Sequence, residues 1–209
     1  MSKKKRYPVR IPRFAPGIRS QASRSGGDRC WWAKRWLAAI ESMQLGGRLG
    51  RGRNYALSGQ VTEMRLEGPE VSAAVVGTRA EPYSVSVVFR VPDDAARERI
   101  VDRIRAEPML VARLLADDLP SEVEGFFRDE GLDLFPGGKL APGRYDVTTK
   151  CSCPDYANPC KHVAAVMLLL GEEVERRPLA LLELRGISED ELCEIAANRI
   201  RRDHSAAAG

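Results

Sequence analysis

The apolar positions at Trp32, Trp36, Ile40 and Met43 fall three to four residues apart, the spacing of one helical face, and Gly46-Gly47 stops the pattern. Three β-like runs follow at roughly residues 55–66, 70–78 and 83–91, parted by Gly68-Pro69 and Ala80-Glu81-Pro82. Alternation is clearest at Tyr83, Val85, Val87 and Phe89, which predicts a small antiparallel meander. Helical spacing then returns with Ala96, Ile100, Val101 and Ile104, and again behind Pro108 with Leu110, Val111, Leu114 and Leu115. A third helix carries Phe126 and Phe127, with Ser121 and Glu124 as its capping box and Gly131 as its end. Pro136-Gly137-Gly138 reads as a turn or linker, and residues 145–153 are strand-like. The run at 163–170 predicts an apolar helix ending at Gly171, and 178–184 is a short apolar segment. In the last helix Ser188 and Glu191 form another capping box, while Leu192, Cys193, Ala196 and Ile200 share a stripe that places Cys193 in the core.

Four residues carry the chemistry. Cys151 and Cys153 lie two positions apart, Cys160 and His162 again two apart, and six residues separate the pairs. Thiolate sulfur and imidazole nitrogen are the donors a tetrahedral zinc ion takes, and three sulfurs with one nitrogen leave no open position for water or substrate. The predicted role of the metal is therefore structural. Pro154-Asp155-Tyr156-Ala157-Asn158-Pro159 is rich in turn formers, so the chain reverses between the pairs. Cys160 and His162 then open the apolar helix, whose amides and positive dipole end favour anionic sulfur. A disulfide is disfavoured, since Met1-Ser2-Lys3-Lys4-Lys5-Arg6 is followed by prolines and arginines rather than a secretory signal.

The 209 residues carry a formal charge of +4, which conceals an asymmetry. Residues 1–66 hold fifteen Lys and Arg against three acids, and the remainder is acidic by eight charges. A basic third of this kind is the sequence sign of a polyanion-binding region, because cations that neutralise phosphates release condensed counterions. Residues 1–30, with scattered Pro, Gly and Arg, read as a basic disordered arm. The alternating Gly and Arg of 46–53 read as a flexible loop able to follow a phosphate backbone. Few basic residues flank the metal ligands in sequence, so Lys34, Arg35, Arg48, Arg51 and Arg53 are the candidate phosphate contacts alongside the arm. Trp31, Trp32 and Trp36 could stack on bases, but burial as packing anchors is the preferred reading. No apolar run reaches the ~20 residues that span a bilayer, so a cytoplasmic protein is expected.

The string Cys151-Ser152-Cys153-Pro154-Asp155, followed by Pro159-Cys160-Lys161-His162-Val163-Ala164-Ala165-Val166, resembles the SWIM-type zinc finger, whose pattern is Cys-x-Cys, a variable gap, then Cys-x-His. Residues 31–90, with the tryptophan cluster and Gly47-Arg48-Leu49-Gly50-Arg51-Gly52-Arg53, are more loosely similar to the N-terminal part of small bacterial SWIM proteins. The resemblance implies a strand pair followed by a helix around structural Zn²⁺, with Cys151, Cys153, Cys160 and His162 as ligands. It also implies DNA or protein partners, a Snf2-type helicase being the first protein partner to name.

The expected fold is α+β: a small antiparallel meander with helices, then a C-terminal ββα-like zinc finger module and terminal helices. The expected organisation is an arm at 1–30, an α+β domain at 31–135, the finger with following helices at 140–200 and a tail at 201–209. The expected function is that of a zinc-stabilised, DNA-associated nucleic-acid-binding accessory protein, or alternatively an adaptor for a larger protein. No enzymatic activity is expected. Asp93-Asp94 and Asp117-Asp118 are adjacent carboxylates that point apart on a helix, no phosphate loop is present, and the histidine outside the finger, His204, lies in a polar tail. Cys30 has no inferred role.

Overall fold

The computed structural model describes residues 12–21, 29–137, 139–141 and 144–207. In chain order these form α1 (Trp31–Ser42), α2 (Gly47–Leu57), β1 (Val61–Glu67), β2 (Glu70–Val75), β3 (Tyr83–Phe89), α3 (Asp94–Ala106), α4 (Pro108–Leu115) and α5 (Glu122–Asp129). Then come β4 (Lys139–Ala141), β5 (Arg144–Tyr145), β6 (Val147–Cys151), α6 (Lys161–Arg176), α7 (Leu179–Leu184) and α8 (Glu189–Ala207).

The alternating runs pair as expected, β1 to β2 to β3, all antiparallel. The strand leading into the finger then joins the same sheet: β6 lies beside β3, with Phe89 opposite Val147, Val87 opposite Thr149 and Val85 opposite Cys151. Val71, Ala73, Val75, Tyr83, Val85, Val87, Phe89 and Val147 are buried on one face, while Ser72, Ser84, Val88 and Lys150 are exposed on the other, the alternation of a sheet packed on one side only. Sheet and core thus run across the boundary expected between residues 135 and 140.

Helix α6 fills the centre. Val163, Ala164, Ala165, Val166, Met167, Leu169 and Leu170 are all buried, so the helix is apolar nearly all round, as a helix must be when the sheet covers one side and α1 and α2 the other. It does not stop at Gly171 but continues to Arg176. Gly171 serves packing instead, because a Cβ there would lie 2.5 Å from Cδ1 of the Trp36 indole. The tryptophans are anchors. Trp36 is fully buried and its Nε1 donates to the Met167 carbonyl at 3.0 Å, while Trp31 donates to Leu119 at 2.9 Å and Trp32 to Val174 at 3.2 Å.

Residues 46–53 are not a loop. Gly46 is the N-cap of α2 and 47–53 form most of the helix, despite glycine's cost of roughly 1 kcal/mol per helical position. The tertiary contact overrides the propensity: a Cβ on Gly52 would stand 2.6 Å from Cβ of Ala164 and 2.9 Å from the Lys161 carbonyl. Only glycine lets the two helices approach this closely. Gly52→Val should force them apart and destabilise the fold by about 1–3 kcal/mol, the range for overpacked cores. Thermal melting reads this directly, and an unchanged midpoint would refute the close approach.

Nor is all of the N-terminal stretch loose. Residues 12–21 run as an extended strap: Arg13 N–H donates to the Gly77 carbonyl (2.9 Å), Gly17 to Gly59 (3.0 Å), Ile18 to Val61 (2.7 Å) and Ser20 to Ala56 (3.0 Å). Ala15 is buried, and a Cβ at Gly17 would meet the Val61 carbonyl at 2.2 Å. The Ser20 hydroxyl and the Gln21 amide both donate to the Glu172 carboxylate of α6. The rest of the expected arm, residues 1–11 and 22–28, lies outside the described residues.

Other local expectations divide. Asp93 caps α3 by accepting from the Ala96 amide, and Ser188 caps α8 by accepting from Glu191 N–H, although the Glu191 carboxylate turns to Arg97 instead of completing the box. Ser121 makes no cap: a turn at Pro120 already receives the Val123 amide, and the hydroxyl bonds Glu122. Cys193 is exposed, because α8 buries Leu192 and Ile195. The stretch expected as a tail continues α8 to Ala207.

One buried ion pair ties four segments together. Arg185, fully buried at the end of α7, donates to the carbonyls of Leu134 (3.1 Å), Phe135 (3.1 Å) and Arg90 (2.7 Å) and to the Asp146 carboxylate. Asp146, just before β6, also accepts from Gly137 N–H at 2.9 Å. Burial lowers the guanidinium's pKa below its ordinary value, and the Asp146 charge opposes that shift.

Candidate metal centre and its surroundings

Cys151 is the last residue of β6, held in register by its pairing with Val85, and the ladder continues one step as Ser152 N–H donates to the Ser84 carbonyl at 3.0 Å. The knuckle 154–159 then turns the chain back. Asp155 accepts from the Ala157 amide, and Asn158 locks the loop onto β6 by donating to the Thr149 carbonyl (2.6 Å) and accepting from its hydroxyl (2.8 Å). Cys160 is the N-cap of α6 and His162 stands in its first turn. Thus the sheet supplies one end of the ligand set and the central helix the other.

The four donor atoms all lie within 4.8 Å of one another, and Nδ1 of His162 is 3.7 Å from both the Cys151 and Cys160 sulfurs. Bonds of about 2.3 Å to sulfur and about 2.05 Å to nitrogen set the corners of a tetrahedral zinc site about 3.6–3.8 Å apart, so the donor set fits the ion. The imidazole is clamped between rings, its centroid 4.6 Å from Tyr83 and 5.2 Å from Tyr55, which turns Nδ1 to the sulfurs. Its Nε2 is buried and makes no hydrogen bond.

The sulfurs are unequal without a cation. A hydrogen bond from Cys151, aided by His162 and the amides of Val163 and His162, brings the Cys160 thiol down to about 3, against the cost of burial. The same bond, with burial, pushes the Cys151 thiol up, and burial raises Cys153. The helix start thus favours anionic sulfur at Cys160, and a divalent ion is what lets all three sulfurs be anionic together. When bound, zinc here supplies cross-linking. With three sulfurs and one nitrogen as ligands no position is left for a reacting water.

The candidate phosphate contacts separate into two groups. Lys34 and Arg35 are exposed on α1, and Arg35 is committed to Glu124, with Nη2 2.8 Å from the carboxylate, while its guanidinium lies 5.9 Å from the Phe135 ring. Arg51 and Arg53 are exposed on α2 and Arg48 is half-exposed, and none of the three makes an ion pair among the described residues. In three dimensions the finger is not poor in basic neighbours. Gly52, between Arg51 and Arg53, abuts Lys161, which itself stands between Cys160 and His162 and places its ammonium 5.1 Å from the Tyr55 ring. This neighbourhood was illegible in sequence, because about a hundred residues separate α2 from the ligands.

A metal centre closed by three cysteines and one histidine, built on a strand and a helix start, defines a zinc-finger protein. Residues 144–171 match the family model of the SWIM zinc finger, so this chain carries a SWIM zinc finger spanning β5, β6, the knuckle and most of α6. The chain is also 36% identical over 184 residues to the uncharacterized protein Rv2102 of Mycobacterium tuberculosis, a match covering 88% of this chain and 65% of that protein. It therefore spans just under two thirds of that relative's length. No solved structure matches. Among the described residues, no helix is long and apolar enough to cross a membrane.

Proposed function

We propose that this is a zinc-stabilised, nucleic-acid-binding accessory protein, associated with DNA, that binds without catalysing a reaction. The observation that carries the reading is the placement of α2: its arginines stand beside the finger with no acidic partner among the described residues, next to Lys161 at the metal ligands. Cations left without carboxylate partners on a rigid helix are suited to phosphates, whose neutralisation releases counterions. Zinc contributes by fixing the start of α6 against β6, and through Gly52 the helix that bears the arginines.

Mobility shifts of the zinc-loaded protein across a salt series test the proposal. Binding should weaken steeply with salt, and Arg51→Ala with Arg53→Ala should flatten the logarithmic salt slope by about two, roughly one for each phosphate left without its cation. Absence of binding to single and double strands alike at low salt would remove the reading.

A further inference from the structure

Helices α1, α2 and α6 and the end of the strap wall a cavity of about 430 Å³, a size that small-molecule sites share. Ala33 and Leu37 of α1, Ala56 and Leu57 of α2 and Leu168 of α6 give it aliphatic sides. The Trp36 ring and Gly171 line it too, and the indole N–H is already spent on the Met167 carbonyl.

Four polar residues share this lining: Ser20, Arg29, Arg53 and Glu172. Two of them satisfy each other, since the Ser20 hydroxyl donates to Glu172, whose other oxygen takes the Gln21 amide. Arg29 places Nη1 3.6 Å from Glu175, an ion pair longer than a hydrogen bond. Arg53 is exposed and makes no ion pair among the described residues. The cavity therefore joins a hydrocarbon interior to a guanidinium that has no carboxylate.

The chemistry of the occupant follows from that pairing. A guanidinium presents a planar fork of donors that a carboxylate accepts with both oxygens. Beyond the two arginines the lining side chains offer no free donor or acceptor among the described residues. A sugar or a base edge would thus enter unpaired, a cost that a hydrocarbon body does not incur. Glu172 in the same lining makes one negative charge a better match than two.

We propose that this cavity is a binding site for an amphipathic monocarboxylate, with its hydrocarbon body between α1, α2 and α6, its carboxylate on Arg53 and Arg29 as the second cation. The site does not depend on the nucleic-acid reading, although both use Arg53.

NMR titration of the zinc-loaded protein with octanoate tests this, with octanol as the uncharged probe of equal length. Octanoate should shift the amides of Ala33, Ala56 and Leu168 saturably, and should bind more tightly than octanol. Arg53→Gln should weaken octanoate binding about 10- to 100-fold, the value of a charge-assisted hydrogen bond, and leave octanol binding as in the parent. Leu37→Trp fills the space from α1 and Leu57→Trp from α2, neither altering charge. Whichever of the two keeps its zinc and a folded spectrum should lose the octanoate shifts. The absence of saturable shifts at these amides would overturn the site, as would equal affinity for octanoate and octanol. Parent-like octanoate binding by Arg53→Gln, or by a folded tryptophan variant, would do the same. None of these outcomes touches the mobility-shift result, so the two readings fail separately.

Discussion

Chelation of the zinc is expected to strip amide protection from β3, β6, α2 and α6 together, well beyond the residues between the ligands. In zinc-finger peptides metal binding is worth on the order of 10 kcal/mol, comparable with the whole stability of a typical domain. Here that energy is not confined to a separable knuckle. Cys151 ends a strand paired with β3, and Cys160 and His162 begin the helix on which the sheet, α1 and α2 pack. Without the ion, the buried His162 Nδ1 and three sulfurs lose their shared partner, and the first turn of α6 loosens with them. Gly52 rests on that turn, so α2 should follow. Cys153→Ser is expected to act in the same direction. Hydrogen exchange with and without chelator checks the extent: loss confined to residues 145–170 would mean that the finger is energetically separate from the sheet it joins.

Arg185→Ala should cost about 3–5 kcal/mol, the penalty for breaking a buried ion pair and leaving one charge uncompensated. Three carbonyls and Oδ2 of Asp146 lose the Arg185 donors at once, in a site where Arg185 is fully buried and Asp146 nearly so. At 2–4 °C per kcal/mol for a chain of this size, the melting midpoint should fall on the order of 10 °C. Pairing Arg185→Leu with Asp146→Leu should recover part of that loss, since removing both charges removes the unpaired one. Thermal melts of the single and double variants decide the matter. A shift of only a degree or two in Arg185→Ala would show that the cluster is not the joint its geometry describes.

The metal ligands were readable because thiols and an imidazole at short, turn-linked spacing seldom coincide except around an ion, and the meander because alternation survives wherever one sheet face is buried. What could not be read were features created by distant contacts. Helix α2 has a glycine-rich sequence with poor helical propensity, and its close seat on α6 depends on a missing side chain at Gly52. Gly171 looked like a helix end because glycine usually is one, but its reason is the Trp36 ring packed over it. The strap at 12–21 is held by main-chain hydrogen bonds to residues 36 to 64 positions away, which no side-chain pattern announces. Cys193 was misplaced because α8 is amphipathic and a half-turn decides which side a cysteine faces.

The strap sets how the basic N-terminus can be dissected. Removing the first eleven residues deletes Lys3, Lys4, Lys5, Arg6 and Arg10 and leaves every strap hydrogen bond standing. A truncation reaching residue 30 would also bare the flank of β1 at Val61 and take away the donors that Glu172 accepts, so weakened binding by that shorter chain would mix lost charge with damaged architecture.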